Sequence, residues 1–199
     1  MTLSHKPVGP ESRVFLVDGS SFVFRAYFQS IRQDAKYNYR SDRLPTGAVR
    51  LFCSKILQFV REGALGVRPT HLAIIFDKSE NSFRKEIYPE YKANRSAMPD
   101  DLKAQIQPLH EAITAMGWPI IIQEGVEADD VIGTLCKEAT QHQFNVVVST
   151  GDKDLAQLVN DHVTLINTMT NEKLDIEGVK NKFGLMPSQI IDYLTLIGD

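Results

Sequence analysis

Val14-Phe15-Leu16-Val17-Asp18-Gly19-Ser20-Ser21 is a short apolar run that stops at an acid and a turn of small residues. A run of this length, bounded by turn residues, reads as a buried strand. The same pattern recurs outward along the chain: Leu72 to Phe76 ends in Asp77, Ile120 to Ile122 follows, Val146-Val147-Val148 runs into Ser149-Thr150-Gly151-Asp152, and Val163-Thr164-Leu165-Ile166 makes a fifth. Helical spacing fills the gaps. Val49, Phe52, Ile56 and Phe59 line one face of Ala48 to Val60; Leu102, Ile106, Leu109, Ile113 and Met116 repeat similarly up to a capping Gly117, with a kink expected at Pro108. Strand and helix in alternation predict an α/β fold with a mostly parallel central sheet and helices on both faces.

In such sheets ligands gather beyond the carboxyl ends of the strands, where Asp18, Asp77 and Asp152 each fall. Glu127, Asp129 and Asp130 open a helix predicted over Ala128 to Thr140, a position that also suits acids through the macrodipole. That effect accounts for one acid at a helix start, but not for three more at strand ends. With Asp154 and Asp199 the acids number eight. Like charges gathered together repel, and the cost is offset when hard divalent cations sit among them. Hydrolysis of a phosphodiester by two ions roughly 4 Å apart calls for several carboxylates, some acting through water.

Directly after Asp77, the stretch Ser82-Phe83-Arg84-Lys85-Glu86-Ile87-Tyr88-Pro89-Glu90-Tyr91-Lys92-Ala93-Asn94-Arg95 mixes cations with aromatics, as a surface touching phosphates and stacking on bases does. It leaves the sheet at the acidic edge and returns at Pro99, so Lys92 and Arg95 are candidates to offset charge on a phosphate. Arg25, after Asp18, is a further candidate phosphate contact, as is Arg84.

Composition bounds these readings. The chain has 199 residues, 43% hydrophobic and 24% charged, enough for one globular domain with a real core. A formal charge of -3 gives no global attraction for nucleic acid, so binding must be local. Cys53 and Cys136 lack CxxC spacing and lie on apolar helical stripes, as buried thiols do. The amino terminus has no apolar signal core and no run is long enough to span a membrane, so a cytoplasmic protein is expected. Neither GxGxxG nor GxxxxGK[ST] occurs, so no nucleotide cofactor is expected.

VDGSSFVFRAYF, PTGAVRLF, FRKEIYPEYKANR, MPDDLKAQI, GVEADDVIGTL, STGDKDLAQLV and LINTMTN, in this order, resemble the 5′-nuclease domain at the amino terminus of bacterial DNA polymerase I, within the flap endonuclease family. The resemblance runs from about Arg13 to Asp199. It implies a PIN-like fold with an arch-like segment near 80–97, through which a 5′ single strand passes. It also implies a metal site built from Asp18, Asp77, Glu127, Asp129, Asp130, Asp152, Asp154 and Asp199. The first five would serve one metal region and the last three another, with two or more magnesium ions, or manganese, as cofactor. Lys92 and Arg95 are implied as catalytic cations, and Arg25, Arg84, Tyr91, Lys92 and Arg95 as DNA contacts. The family pattern continues past Gly198-Asp199 to another aspartate and a helix-hairpin-helix-like element, so the organisation expected is a flexible tail over 1–12 and a catalytic domain over 13–199 that stops before that element. The loop Ser30 to Leu44 is longer than the resemblance leads one to expect and reads as a surface insertion.

The implied function is metal-dependent 5′-3′ exonuclease and structure-specific flap endonuclease activity on DNA with 5′ flaps, nicks or RNA primers. The expected setting is a monomer in the bacterial cytoplasm, at the nucleoid, as part of a polymerase whose synthetic activity this chain lacks. Three alternatives have discriminating features. A DNA-structure-binding module of the same fold would have lost some acids. A Toprim-type enzyme would leave Asp18 and Asp77 without a task, and an aspartate-nucleophile phosphatase wants DxD after the first strand, where Asp18 is followed by Gly19-Ser20.

Overall fold

The computed structural model describes residues 3–4, 6–64, 66–167 and 170–198, with backbone alone for 79–81. Among them, a six-stranded sheet is ordered β3-β2-β1-β4-β5-β6. The strands are β1 (Arg13–Asp18), β2 (His71–Ser82), β3 (Ile120–Gly125), β4 (Asn145–Ser149), β5 (Val163–Asn167) and β6 (Glu172–Leu174). All neighbours pair in parallel except β5 with β6, which pair antiparallel. The chain starts in the middle of the sheet, builds β2 and β3 to one side, and then crosses back to lay β4 on the other side of β1. The switch point thus falls between β1 and β4, where Val17 is in register with Ser149.

Alternation along the strands divides the apolar side chains into two layers. Phe15, Val17, Ile74 and Phe76 face one way, against α1 (Gly19–Ser30), α2 (Gly47–Glu62) and, after the five-residue α3 (Phe83–Ile87), α4 (Asp100–Ala115). Leu16, Ile75, Val146, Val148 and Leu165 face the other way, against α5 (Ala128–Gln141), α6 (Ile176–Phe183) and α7 (Ile190–Ile197). Both faces of the sheet are covered, as expected of parallel strands whose residues are apolar on both sides. Helix α4 runs unbroken through Pro108, which is exposed. Gly117, at φ 74°, follows its end as expected. Cys53 and Cys136 are buried in opposite layers, and burial pushes the Cys136 thiol up to about 12.

Two stretches have more order than their sequences suggest. In the amino-terminal segment, Ser4 N donates to Thr70 O at 2.7 Å, and the His71 ring meets Lys6 O. In the loop after α1, Asn38 is buried, donates to Ser30 O at 2.8 Å and accepts from Thr46 N with its own carbonyl. No helix among the described residues is long and apolar enough to cross a membrane.

Candidate metal centre and nucleic-acid face

Asp18 ends β1 at the switch point and is buried. One carboxylate oxygen accepts Ser21 N at 2.9 Å, which caps α1. The other accepts Thr150 Oγ at 2.8 Å, across the gap between β1 and β4. Burial raises the Asp18 carboxyl above the usual range, against the lowering effect of those two bonds and of Arg25. Thr150 is the hub of this corner: its hydroxyl also accepts Asp152 N at 3.0 Å, and Asp152 in turn accepts Asp154 N at 2.9 Å. The turn after β4 therefore presents Asp152 beside Asp18, while Asp154 opens a short 3-10 turn, Asp154–Leu158.

Asp77 lies where the β2–β3 register shifts. Its N–H donates to Ser20 Oγ at 2.9 Å and its carboxylate accepts Ala128 N at 2.7 Å, joining β2 to the first turns of both α1 and α5. Asp129 sits in that first turn of α5. Burial, together with the charges of Asp18, Asp152 and Asp77, pushes its carboxyl up to about 7. Four acids from three strand ends and one helix start thus act on each other electrostatically.

Glu127 and Asp130 behave differently. Asp130 accepts both terminal nitrogens of Arg84, at 2.6 and 2.7 Å, and also the Glu127 N–H at 2.9 Å. Glu127 accepts Lys92 Nζ at 2.8 Å, Tyr91 OH at 3.2 Å and Ser82 Oγ at 3.2 Å. Burial pushes Glu127 upward, but Lys92, Arg84 and Ser82 outweigh it and hold its carboxyl below the usual range. The Arg84 fork does the same for Asp130. The segment after β2 therefore folds back over the acidic edge as the arch reading expects, but its cations neutralise two of the predicted metal-site acids. Lys92 takes a left-handed backbone, φ 58°, at the turn that makes this reach.

Arg25 turns inward. Its guanidinium bonds Asn167 at 3.2 Å and Ser21 O at 3.3 Å, and it feels the charges of Asp18 and Asp152, so it stands as their countercharge. It packs so closely on Gly151 that a Cβ there would lie 2.7 Å from its central carbon. Arg95 is exposed. A cavity of about 330 Å³ between the arch, α1 and α4 is lined by Phe24 and Phe76, by Lys92 and Arg95, and by Asp77 and Glu127.

Among the described residues no group of three acids, histidines or cysteines is drawn into ligand geometry, and Asp199 lies outside them. The donor set nevertheless fits a hard cation: the half-buried Asp129, raised by desolvation and by three neighbouring acids, is in the state that a divalent ion reverses. Sequence reasoning missed Thr150, Ser82 and Asn167. Thr150 carried a usable signal, as the polar residue between a strand end and Gly151-Asp152.

The family described as 5′-3′ exonuclease, N-terminal resolvase-like domain, matches residues 13–184. DNA polymerase I of Pseudomonas aeruginosa is 46% identical over 189 residues, covering 95% of this chain and 20% of that protein. A 5′-3′ exonuclease of Buchnera aphidicola subsp. Baizongia pistaciae is 40% identical over 184 residues, covering 92% of this chain and 58% of its own length. The chain thus spans only part of the relatives it matches. The solved structure of the T5 D15 protein co-crystallised with metal ions superposes with a TM-score of 0.69 at 20% identity, over 94% of this chain and 67% of that one. The catalytic core of Rad2 in complex with DNA substrate does so at 0.54 and 18%, over 96% and 55%. At such identities the likeness is one of fold, and it agrees with the PIN-like architecture. With the strand-end acids, the folded-back arch and a match over residues 13–184, the chain belongs to the family of 5′-3′ exonuclease N-terminal, resolvase-like domains.

Proposed function

We propose that this chain is the catalytic part of a metal-dependent 5′-3′ exonuclease and structure-specific 5′ flap endonuclease, acting on DNA flaps, nicks and RNA primers in replication and repair. Its parent protein is a bacterial DNA polymerase I, working as a monomer in the cytoplasm on nucleoid DNA. One observation carries the reading: Asp18, Asp77 and Asp152 are tied by hydrogen bonds into the sheet edge beside Asp129 at the start of α5, and the cationic arch overhangs them.

Asp18, Asp77, Asp129 and Asp152 hold the cations, and Asp154 and Asp199 extend the set. Glu127 and Asp130, already balanced by Lys92 and Arg84, act at the boundary with the arch through water in the outer shell. Two or more magnesium ions, or manganese in their stead, supply polarisation of the phosphate and a reactive water at neutral pH. Lys92 and Arg95 bind phosphate oxygens of the 5′ strand, and Tyr91 offers a ring for a base. Arg25 limits the repulsion between Asp18 and Asp152 and so keeps both carboxylates in place.

The test is cleavage of a labelled 5′ flap while magnesium is titrated, with Asp77→Asn alongside. Product that requires magnesium and is lost in the variant supports the proposal. Tight flap binding without cleavage at any magnesium concentration favours a second reading, a DNA-structure-binding module, for which the neutralisation of Glu127 and Asp130 by the arch speaks.

A further inference from the structure

Helix α3 has only five residues and none of them is buried, so neither length nor apolar packing holds it in place. What ties it down is Arg84. Both terminal nitrogens of its guanidinium lie on the two oxygens of Asp130, at 2.6 and 2.7 Å, and one stands 3.8 Å from Glu127. Asp130 is itself fixed, because the same oxygen that meets Arg84 accepts the Glu127 N–H across the first turn of α5. The guanidinium also packs 4.7 Å from the Phe83 ring centroid and 6.0 Å from that of Tyr91, bringing both ends of the folded-back segment to one point. A fork so engaged has spent the paired donors that a bidentate phosphate contact needs.

We infer that Arg84 is a positioning residue: through Asp130 it clamps the root of the arch to the start of α5 and so holds Lys92 and Tyr91 against Glu127, instead of touching DNA itself. The inference rests on the nuclease reading for its catalytic consequence, but the clamp stands on its own geometry. A planar fork on a carboxylate is not reproduced by an ammonium, so lysine does not replace arginine here. The only other described side chains within bonding reach of Glu127 are Ser82, Tyr91 and Lys92, and the last two depend on the arch being held in place.

The test compares the chain with its Arg84→Ala, Arg84→Lys, Asp130→Asn and Arg84→Ala/Asp130→Asn variants, with Lys92→Ala as reference. Three readouts are taken: kcat and KM on a labelled flap, the salt dependence of flap binding in calcium, and backbone hydrogen exchange over 83–92. Both Arg84 variants are expected to lose about ten- to a hundredfold in kcat with KM unchanged, and to exchange faster across 83–92. The double variant should be no worse than Asp130→Asn alone. The salt slope of Arg84→Ala should match the parent, whereas Lys92→Ala should lower it by about 0.7 to 0.9. A drop of that size for Arg84→Ala, full kcat in Arg84→Lys, or unchanged exchange in Arg84→Ala each overturns the inference. A parent chain that cleaves nothing sinks the nuclease reading and leaves the exchange comparison to judge the clamp.

Discussion

Asp77 accepts the backbone N–H of Ala128 at 2.7 Å, so the acid that stands at the register shift of β2 also caps the helix that carries Asp129. Its carboxylate has a structural task and, in the proposed metal site, a second one, and substitutions separate them. Asp77→Asn keeps an acceptor oxygen for Ala128 and removes the charge; it should abolish flap cleavage with little change in urea unfolding. Asp77→Ala should also abolish cleavage and should in addition lose about 1 kcal/mol, the usual worth of such a cap. Equal unfolding midpoints for the two variants would show that the bond contributes nothing.

Asp129 makes the metal-free fold sensitive to pH. Its carboxyl titrates at about 7 in the fold and at its ordinary 3.8 in the unfolded chain. Between those values the unfolded chain has released its proton while the folded one retains it. Stability therefore falls as pH rises through that window, and the loss is complete above the folded value. Asp129→Asn removes the penalty. In chelator at about pH 8 the variant should be roughly 2–4 kcal/mol more stable than the parent, with the gap closing by about pH 4. Thermal unfolding at the two pH values checks this, and added magnesium should stabilise the parent far more than the variant.

Helix α2 takes its cap from a distant residue. Thr46 makes no side-chain bond to it, and instead Gln105 of α4, buried, accepts Ala48 N at 2.9 Å and Val49 N at 3.3 Å while donating to Asp101 O. Gln105→Leu leaves two N–H groups without an acceptor at a buried helix end. The expected cost is about 2–4 kcal/mol in urea unfolding, well above that of an exposed glutamine such as Gln107.

Gly151 is held to glycine by Arg25. A methyl group at this position would overlap the guanidinium, which has little room to retreat while it bonds Ser21 O and Asn167. Gly151→Ala should destabilise by about 1–3 kcal/mol. It should also lower kcat by displacing the countercharge of Asp18 and Asp152. If kcat and unfolding both match the parent, Arg25 is not needed where it stands.

Much of this was legible in the residues because burial leaves a local imprint. The runs Val14 to Val17, Leu72 to Phe76 and Val146 to Val148 lie within β1, β2 and β4, since parallel strands covered on both faces cannot hide polar positions. The convergence of Asp18, Asp77 and Asp152 followed from their placement at strand ends. By contrast, β6 is three residues of Glu172-Lys173-Leu174 at an edge, and the last part of β2 is polar, so neither has a period to read. The pairing of Lys92 with Glu127 and of Arg84 with Asp130 was invisible for another reason. It spans 35 and 46 residues, and depends on how a segment without apolar anchors folds back. Spacing could gather the acids at one edge, but could not tell which of them pair with cations of the chain itself.

No side chain described in residues 83–97 is buried, and the hydrophobic layers draw nothing from this span. Its length is therefore decoupled from folding. Insertions or deletions there leave both layers intact and cost little closure entropy, so the headroom above the acidic rim is free to drift between descendants without a toll on the scaffold beneath.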